Sequence, residues 1–119
     1  MIMDSISIDD FHKLDIRIGT VRTAERVPET DKLIKLEVDF GSAEEGGLGM
    51  RHIVSGIAAF VAPEDMIGKQ FPFVTNLEPR MLKGLESQGM ILATGGKAEG
   101  EAFALLTTTA PVKSGSKVS

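Results

Sequence analysis

The chain has no cysteine, no tryptophan and no tyrosine, and its only histidines are His12 and His52. Each gap removes a class of chemistry. Without cysteine there is no disulfide framework, no thiolate metal site and no cysteine nucleophile. With so few imidazoles, a zinc site built on histidine lacks ligands, and no cofactor is expected. No stretch approaches the ~20 apolar residues of a membrane span. The start, Met1-Ile2-Met3-Asp4-Ser5, lacks the basic opening of a signal peptide. A cytoplasmic protein with no membrane partner is therefore expected. Positive charge is also scarce. The formal net charge is −4, which argues against indiscriminate binding of duplex nucleic acid.

What is present is ordinary in amount. The chain has 119 residues, 42% hydrophobic and 25% charged, which suits one domain spanning residues 1–119. The acids are unevenly placed. Asp4, Asp9 and Asp10 stand in the first ten residues without a base, and Glu44 and Glu45 stand alone in 41–50. Elsewhere the charges balance, so a local basic patch remains open.

Ser7-Ile8-Asp9-Asp10 resembles a capping box, and the spacing predicts a short helix over Ile8–Leu14 with Phe11 and Leu14 on one face. From Asp15 the period becomes two: Ile16 and Ile18, then Gly19 at a phase break that predicts a bulge or bend. Val27-Pro28-Glu29-Thr30-Asp31 reads as a turn. Leu36, Val38 and Phe40 alternate with charged residues as a half-buried strand. Gly41–Met50 reads as a glycine-rich connector, mobile at its tip, and Arg51–Ile57 as a third strand. Pro63-Glu64-Asp65-Met66 predicts a short helix ended by Gly68. Gln70–Thr75 predicts a fourth strand whose Pro72 sits at an edge or an unpaired position. Asn76–Gly84 reads as a loop, Met90–Ala93 as a fifth strand and Ala102–Leu106 as a short sixth.

Five short strands with a small helix between the third and fourth is the order of a mainly β protein, the OB-fold. It is a five-stranded Greek-key barrel, here with short helices and a C-terminal extension. In that fold ligands lie on the face of strands two and three. The loops joining strands one and two and strands four and five flank them. Here those loops are Pro28–Lys32 and Asn76–Ser87, and they carry Lys32, Arg80 and Lys83. Arg51 opens the third strand.

Arg80 and Lys83 suit phosphates; Asn76, Ser87 and Gln88 can bond sugars, bases or backbone; Met90 offers a deformable apolar contact. An ordinary solvated loop with Met90 in the core fits the composition as well. Catalysis finds little support. Ser55 has no paired histidine, His52 on a strand is usually structural, and no phosphate-cradling P-loop pattern occurs. All six aromatics are phenylalanine, most of them at core parity, so no stacking platform for single-stranded bases is evident.

Several linked segments carry a resemblance. Asp15-Ile16-Arg17-Ile18-Gly19, Asp31-Lys32-Leu33, Leu36–Gly41, Ile53-Val54-Ser55-Gly56-Ile57, Asn76–Gly84 and Ser87–Ala93 resemble the tRNA-binding domain appended to methionyl-tRNA synthetases. The same family includes free-standing dimeric tRNA-binding proteins, CsaA-type export chaperones and the endothelial monocyte-activating polypeptide group. The resemblance implies a non-enzymatic OB-fold that clasps folded tRNA, with Lys32, Arg51, Asn76, Arg80, Lys83, Ser87 and Met90 facing it. It implies a barrel over about 15–95 and a homodimer joined through terminal segments 1–14 and 96–119. It allows a methionyl-tRNA synthetase catalytic chain as a further partner. The alternative is a CsaA-type chaperone for unfolded export precursors, which the net acidity favours. A weaker possibility is a structural domain of a larger complex. Residues 42–50 form a longer connector than the family usually has.

Overall fold

The first ordered turn begins at Ser7, whose hydroxyl accepts the Asp10 N–H at 3.0 Å. The helix that follows, α1, is only Ile8–Phe11, shorter than the spacing predicts. Lys13 and Leu14 turn more tightly, each amide bonding three residues back. The Asp15 N–H, which would make the next helical bond to Phe11 O, goes instead to Asn76 Oδ1 at 2.8 Å, and the helical ladder ends. This computed structural model describes residues 4–96 and 100–119. Residues 1–3 and 97–99, parts of the two terminal segments expected to dimerise, lie outside the described residues.

Strand β1 (Ile16–Arg26) is the spine. Its first half, Ile16–Thr20, pairs antiparallel with β4, and its second half, Thr20–Arg26, pairs with β2. The bulge that lets one strand serve two partners lies between Val21 and Thr23, not at Gly19. Gly19 answers a different need. A Cβ there would stand 2.3 Å from Val38 Cγ1 and 2.8 Å from Phe40 Cε1, so only a bare backbone lets these side chains pack.

Strand β2 (Ile34–Asp39) alternates buried and half-buried residues throughout, and it pairs with β3 (Met50–Ser55). Between them the glycine-rich connector is a closed turn rather than a free tip. Phe40 N–H bonds Gly49 O (2.9 Å), Gly49 N–H bonds Gly41 O (2.7 Å), and Lys113 pairs with Glu45. A single 3₁₀ turn, Pro63–Asp65, precedes β4 (Gln70–Val74). Pro72 lies in a strand with neighbours on both sides. Its carbonyl accepts Leu92 N–H at 3.1 Å just past the short β7, so the side without an N–H faces the end of that two-residue strand.

Four further pairings complete the described fold. Strands β5 (Arg80–Leu82) and β6 (Leu85–Ser87) form a hairpin inside the segment expected as loop. The expected fifth strand divides at Leu92 into β7 (Met90–Ile91), on β4, and β8 (Ala93–Thr94), which pairs with β9 (Ala104–Leu105). Leu92 N–H still bonds Pro72 O at 3.1 Å, but proline has no N–H to return, and the pairing with β4 ends there. Strand β10 (Lys117–Val118) returns to β1, so the tail packs on its own barrel.

The main sheet runs β3-β2-β1-β4-β7. It curls until Gln88 N–H reaches His52 O at 2.8 Å, bringing β3 against the start of β7. This is the mainly β OB-fold arrangement anticipated from the strand order. Inside the curl Phe40, Phe73, Ile34, Leu36, Ile53, Met66, Val21 and Val38 are fully buried, with Phe40 edge-on to Phe73 at 5.4 Å. No helix among the described residues is long and apolar enough to cross a membrane.

Where the N-terminal segment enters β1, Arg17 grips Asp15 with two nitrogens, at 2.9 and 3.2 Å, and reaches Gly46 O at 2.9 Å. The Arg17 hydrogen bonds hold the Asp15 carboxyl below its ordinary value of 3.8, against the opposing effect of burial. A depressed carboxyl stabilises the fold above its unfolded value and loses that contribution as pH falls through the folded one. Asp15→Asn should therefore lower the melting temperature by a constant amount from pH 7 down to about 4. Below that the gap should shrink. Melting curves at several pH values check this, and a gap that widens in acid contradicts it.

Candidate nucleic-acid interface

The β5–β6 hairpin is what turns a run of polar loop residues into one wall of a groove. Arg80 pairs with Ser87, Met81 with Glu86 and Leu82 with Leu85. This leaves Lys83 and Gly84 as a two-residue turn. Both have positive φ, 50° and 80°, as a tight hairpin turn of this hand requires. Glycine adopts that conformation freely; Lys83 holds it at some cost, and its ammonium is carried at the tip.

The opposite wall is the β1–β2 turn. Thr30 N–H bonds Val27 O at 3.3 Å around Pro28 and Glu29, whose φ is 64°. Proline at the second position and positive φ at the third are the marks of a type II turn. Lys32 follows, anchored through its carbonyl by Ala58 N–H at 2.9 Å. Lys32 and Lys83 thus line the same cleft, whose floor includes Leu33, Met81 and Leu82. Leu33 and Leu82 also border the next depression, which holds Arg80, Leu77 and Met90. The two are one continuous groove, cationic at its edges and apolar at its base.

The seven residues singled out from sequence divide cleanly. Lys32, Arg80, Lys83 and Met90 come together along the groove, and Met90 is 43% exposed rather than in the core. Ser87 also borders the groove, but it, Arg51 and Asn76 are engaged within the protein. Arg51 Nη1 donates to Thr75 O at 2.6 Å and to Gln88 O at 3.3 Å, tying β3 to the segments on either side of the hairpin. Asn76 spends both ends of its amide on the N-terminal segment. Its Oδ1 accepts from Asp15 N–H at 2.8 Å and its Nδ2 donates to Lys13 O. Ser87 is buried, and its Oγ accepts Val54 N–H at 2.9 Å. These three position the groove's walls.

Five bases away from the groove are matched with acids: Lys13 with Asp10, Arg17 with Asp15, Arg22 with Asp39, Lys35 with Glu25 and Lys113 with Glu45. Among the described residues, Lys32, Arg80 and Lys83 make no such pair. Glu29, Asp31 and Glu78 line the same depressions, so three acids stand among the three bases. At physiological salt charges beyond ~8 Å are largely screened, so the net acidity elsewhere in the chain acts only weakly here.

Sequence reasoning missed the apolar floor. Leu77 stands alone among polar residues, and Leu33 and Leu82 lie next to Ile34 and Met81, so no period of two marks them. The adjacency of Leu33 to Lys32 and of Leu82 to Lys83 was the only signal.

Known proteins share this arrangement. The sequence pattern of the family described as "Putative tRNA binding domain" matches residues 16–117. A methionine–tRNA ligase of Porphyromonas gingivalis is 53% identical over 92 residues, which is 77% of this chain but 13% of the ligase. The chain thus spans a small fraction of the curated relatives it matches. A crystal structure of a MetRS-related protein from Pyrococcus horikoshii superposes with a TM-score of 0.86 at 39% identity, covering 98% of this chain and 99% of that one. The chaperone CsaA of Bacillus anthracis superposes with a TM-score of 0.79 at 35% identity, covering 98% and 100%. A match running from the first residue of β1 to the first residue of β10 takes in every strand and both walls of the groove, and so this chain belongs to the tRNA-binding domain family.

Proposed function

We propose that the chain is a non-catalytic tRNA-binding module that clasps folded tRNA along the groove. The single observation that carries this reading is the gathering of Lys32, Arg80 and Lys83, none of them paired with an acid among the described residues, on the face where the OB-fold takes ligands. Phosphates of a folded RNA supply the missing counter-charge. Met90 and the leucine floor accommodate ribose and base edges. Arg51, Asn76 and Ser87 act by holding the walls in place. Recognition is of backbone and shape, in keeping with the absence of displayed aromatics.

The module works free-standing or as an accessory to a methionyl-tRNA synthetase catalytic chain, in the cytoplasm where its RNA is. Two copies joined through segments 1–14 and 96–119 would present two grooves to one bent RNA and gain avidity. The exposed apolar residues of the first segment, Ile6, Ile8 and Leu14, are consistent with such a joint.

Bulk tRNA titrated against the protein tests the reading. If three phosphates are contacted, affinity should fall roughly 40-fold between 50 and 200 mM salt. A second reading rests on the exposed apolar groove, where Met81 is 65% exposed, and on the likeness to CsaA. It is a chaperone for unfolded precursors. An unfolded polypeptide that binds equally at both salt concentrations, with no tRNA binding, would establish that reading and end the first.

A further inference from the structure

Beside the groove, and separated from it by Val54, lies a second pocket of about 320 Å3. It is lined by Lys35, His52, Val54, Leu85, Glu86 and Gln88. Its floor is apolar, from Val54 and Leu85. Its rim carries the Glu86 carboxylate, the His52 imidazole, and donors on Gln88 and Lys35. The pocket sits on the return strand of the same hairpin whose tip bears Lys83.

The Gln88 side chain is already oriented. The backbone N–H of His52 donates to Gln88 Oε1 at 3.0 Å, and the Gln88 N–H returns a bond to His52 O at 2.8 Å. Only the carbonyl end of the amide can accept from an N–H, so the NH2 end is turned the other way. Among the described residues it has no partner. A donor held this firmly carries little of the entropy cost of ordering a free side chain.

Glu86 repels a phosphate, and the one ammonium here, Lys35, already faces Glu25 at 4.0 Å. The Lys32–Lys83 cleft also carries carboxylates, Glu29 and Asp31, but it holds two ammonium groups with no ion pair among the described residues, so the RNA backbone fits that end better. A carboxylate beside amide and ammonium donors suits an edge that offers two N–H donors next to a carbonyl. Guanine presents that order: N2–H and N1–H to the carboxylate, O6 to the Gln88 amide or the Lys35 ammonium. Adenine sets its N1 lone pair against the carboxylate and presents no carbonyl. The base face rests on Val54 and Leu85, and the His52 imidazole is the one aromatic ring lining the pocket.

We infer that this pocket takes an unpaired guanine base of the bound RNA, read by Glu86 with Gln88 and Lys35. The inference rests on the tRNA-binding reading and deepens it: phosphates fix the position, and this pocket supplies a base preference.

The test uses the whole chain with guanosine and adenosine 5′-monophosphates as probes, followed by NMR at the Gln88 side-chain amide. The two probes share a phosphate, so any contact at Lys32 or Lys83 cancels in the comparison. Guanosine monophosphate should bind about 10-fold or more tightly than adenosine monophosphate, given the usual discrimination of a bidentate base contact. In Glu86→Gln, which replaces one acceptor oxygen by an NH2 on an exposed side chain, that preference should vanish. Equal response to both probes in the parent, no response at Gln88, or a preference that survives Glu86→Gln overturns the inference. Bulk tRNA is titrated into the same samples. Retained tRNA binding without a guanine preference defeats the pocket alone. Lost tRNA binding with the preference intact defeats the broader reading alone.

Discussion

The Lys32→Ala, Lys83→Ala double variant is expected to bind bulk tRNA roughly 10- to 100-fold more weakly than the parent near 0.1 M salt. The salt dependence should flatten with it. Each phosphate contact contributes about one unit to the slope of log affinity against log salt concentration, so about two units should disappear. The effect is large because both ammonium groups line one cleft on opposing walls, 51 residues apart in sequence but facing the same space. Neither is matched by a carboxylate among the described residues. The necessary control changes charge equally elsewhere. Lys69 and Lys117 are exposed, make no ion pair among the described residues, and lie away from the groove. Lys69→Ala with Lys117→Ala should alter binding only slightly. If that pair costs as much as the groove pair, the protein binds RNA by net charge and has no localised site.

Phe40→Ala should be the most damaging single truncation in the core. Phe40 is fully buried, stands edge-on to Phe73 at 5.4 Å, and packs against the bare backbone of Gly19. Removing a buried phenyl ring typically costs about 3–5 kcal/mol, a large part of a domain's total stability of roughly 5–15 kcal/mol. The melting temperature should fall by roughly 10–20 °C. Phe60 provides the contrast. It stacks on Phe103 at 4.5 Å but is 51% exposed. Its truncation should cost about 1 kcal/mol. Calorimetry on both variants checks the ranking, and a Phe60→Ala loss equal to that of Phe40→Ala would contradict this description of the core.

The strands that obey a simple period are legible in the sequence. Leu36, Val38 and Phe40 bury one face because alternate residues of a strand must point the same way, and they stand at the centre of the core. The Ser7 cap and the Pro63 turn are likewise readable, since each depends on neighbours within three residues. Local rules fail where a distant partner intervenes. The α1 helix does not run on because Asn76, far along the chain, takes the Asp15 N–H. Gly19 reads as a bulge glycine but exists to admit Phe40 and Val38. The connector at 41–50 is closed by its own backbone and by Lys113.

The same division runs through the site. Lys32, Arg80, Lys83 and Met90 can be placed on one face from strand order, because the OB topology dictates which loops meet. That Asn76 and Arg51 are bound inward cannot, since an amide or guanidinium serves phosphate or carbonyl equally well until its neighbours are known. Sequence periodicity, turn chemistry and element order therefore determined the β architecture and the loops that border the groove, all of which are consequences of local sterics and alternation. Tertiary structure alone decided which polar side chains are consumed in holding the barrel and which remain available. Hydrogen bonds are satisfied by whatever group arrives in range, and only the folded chain brings residues 51, 76 and 88 together with their partners.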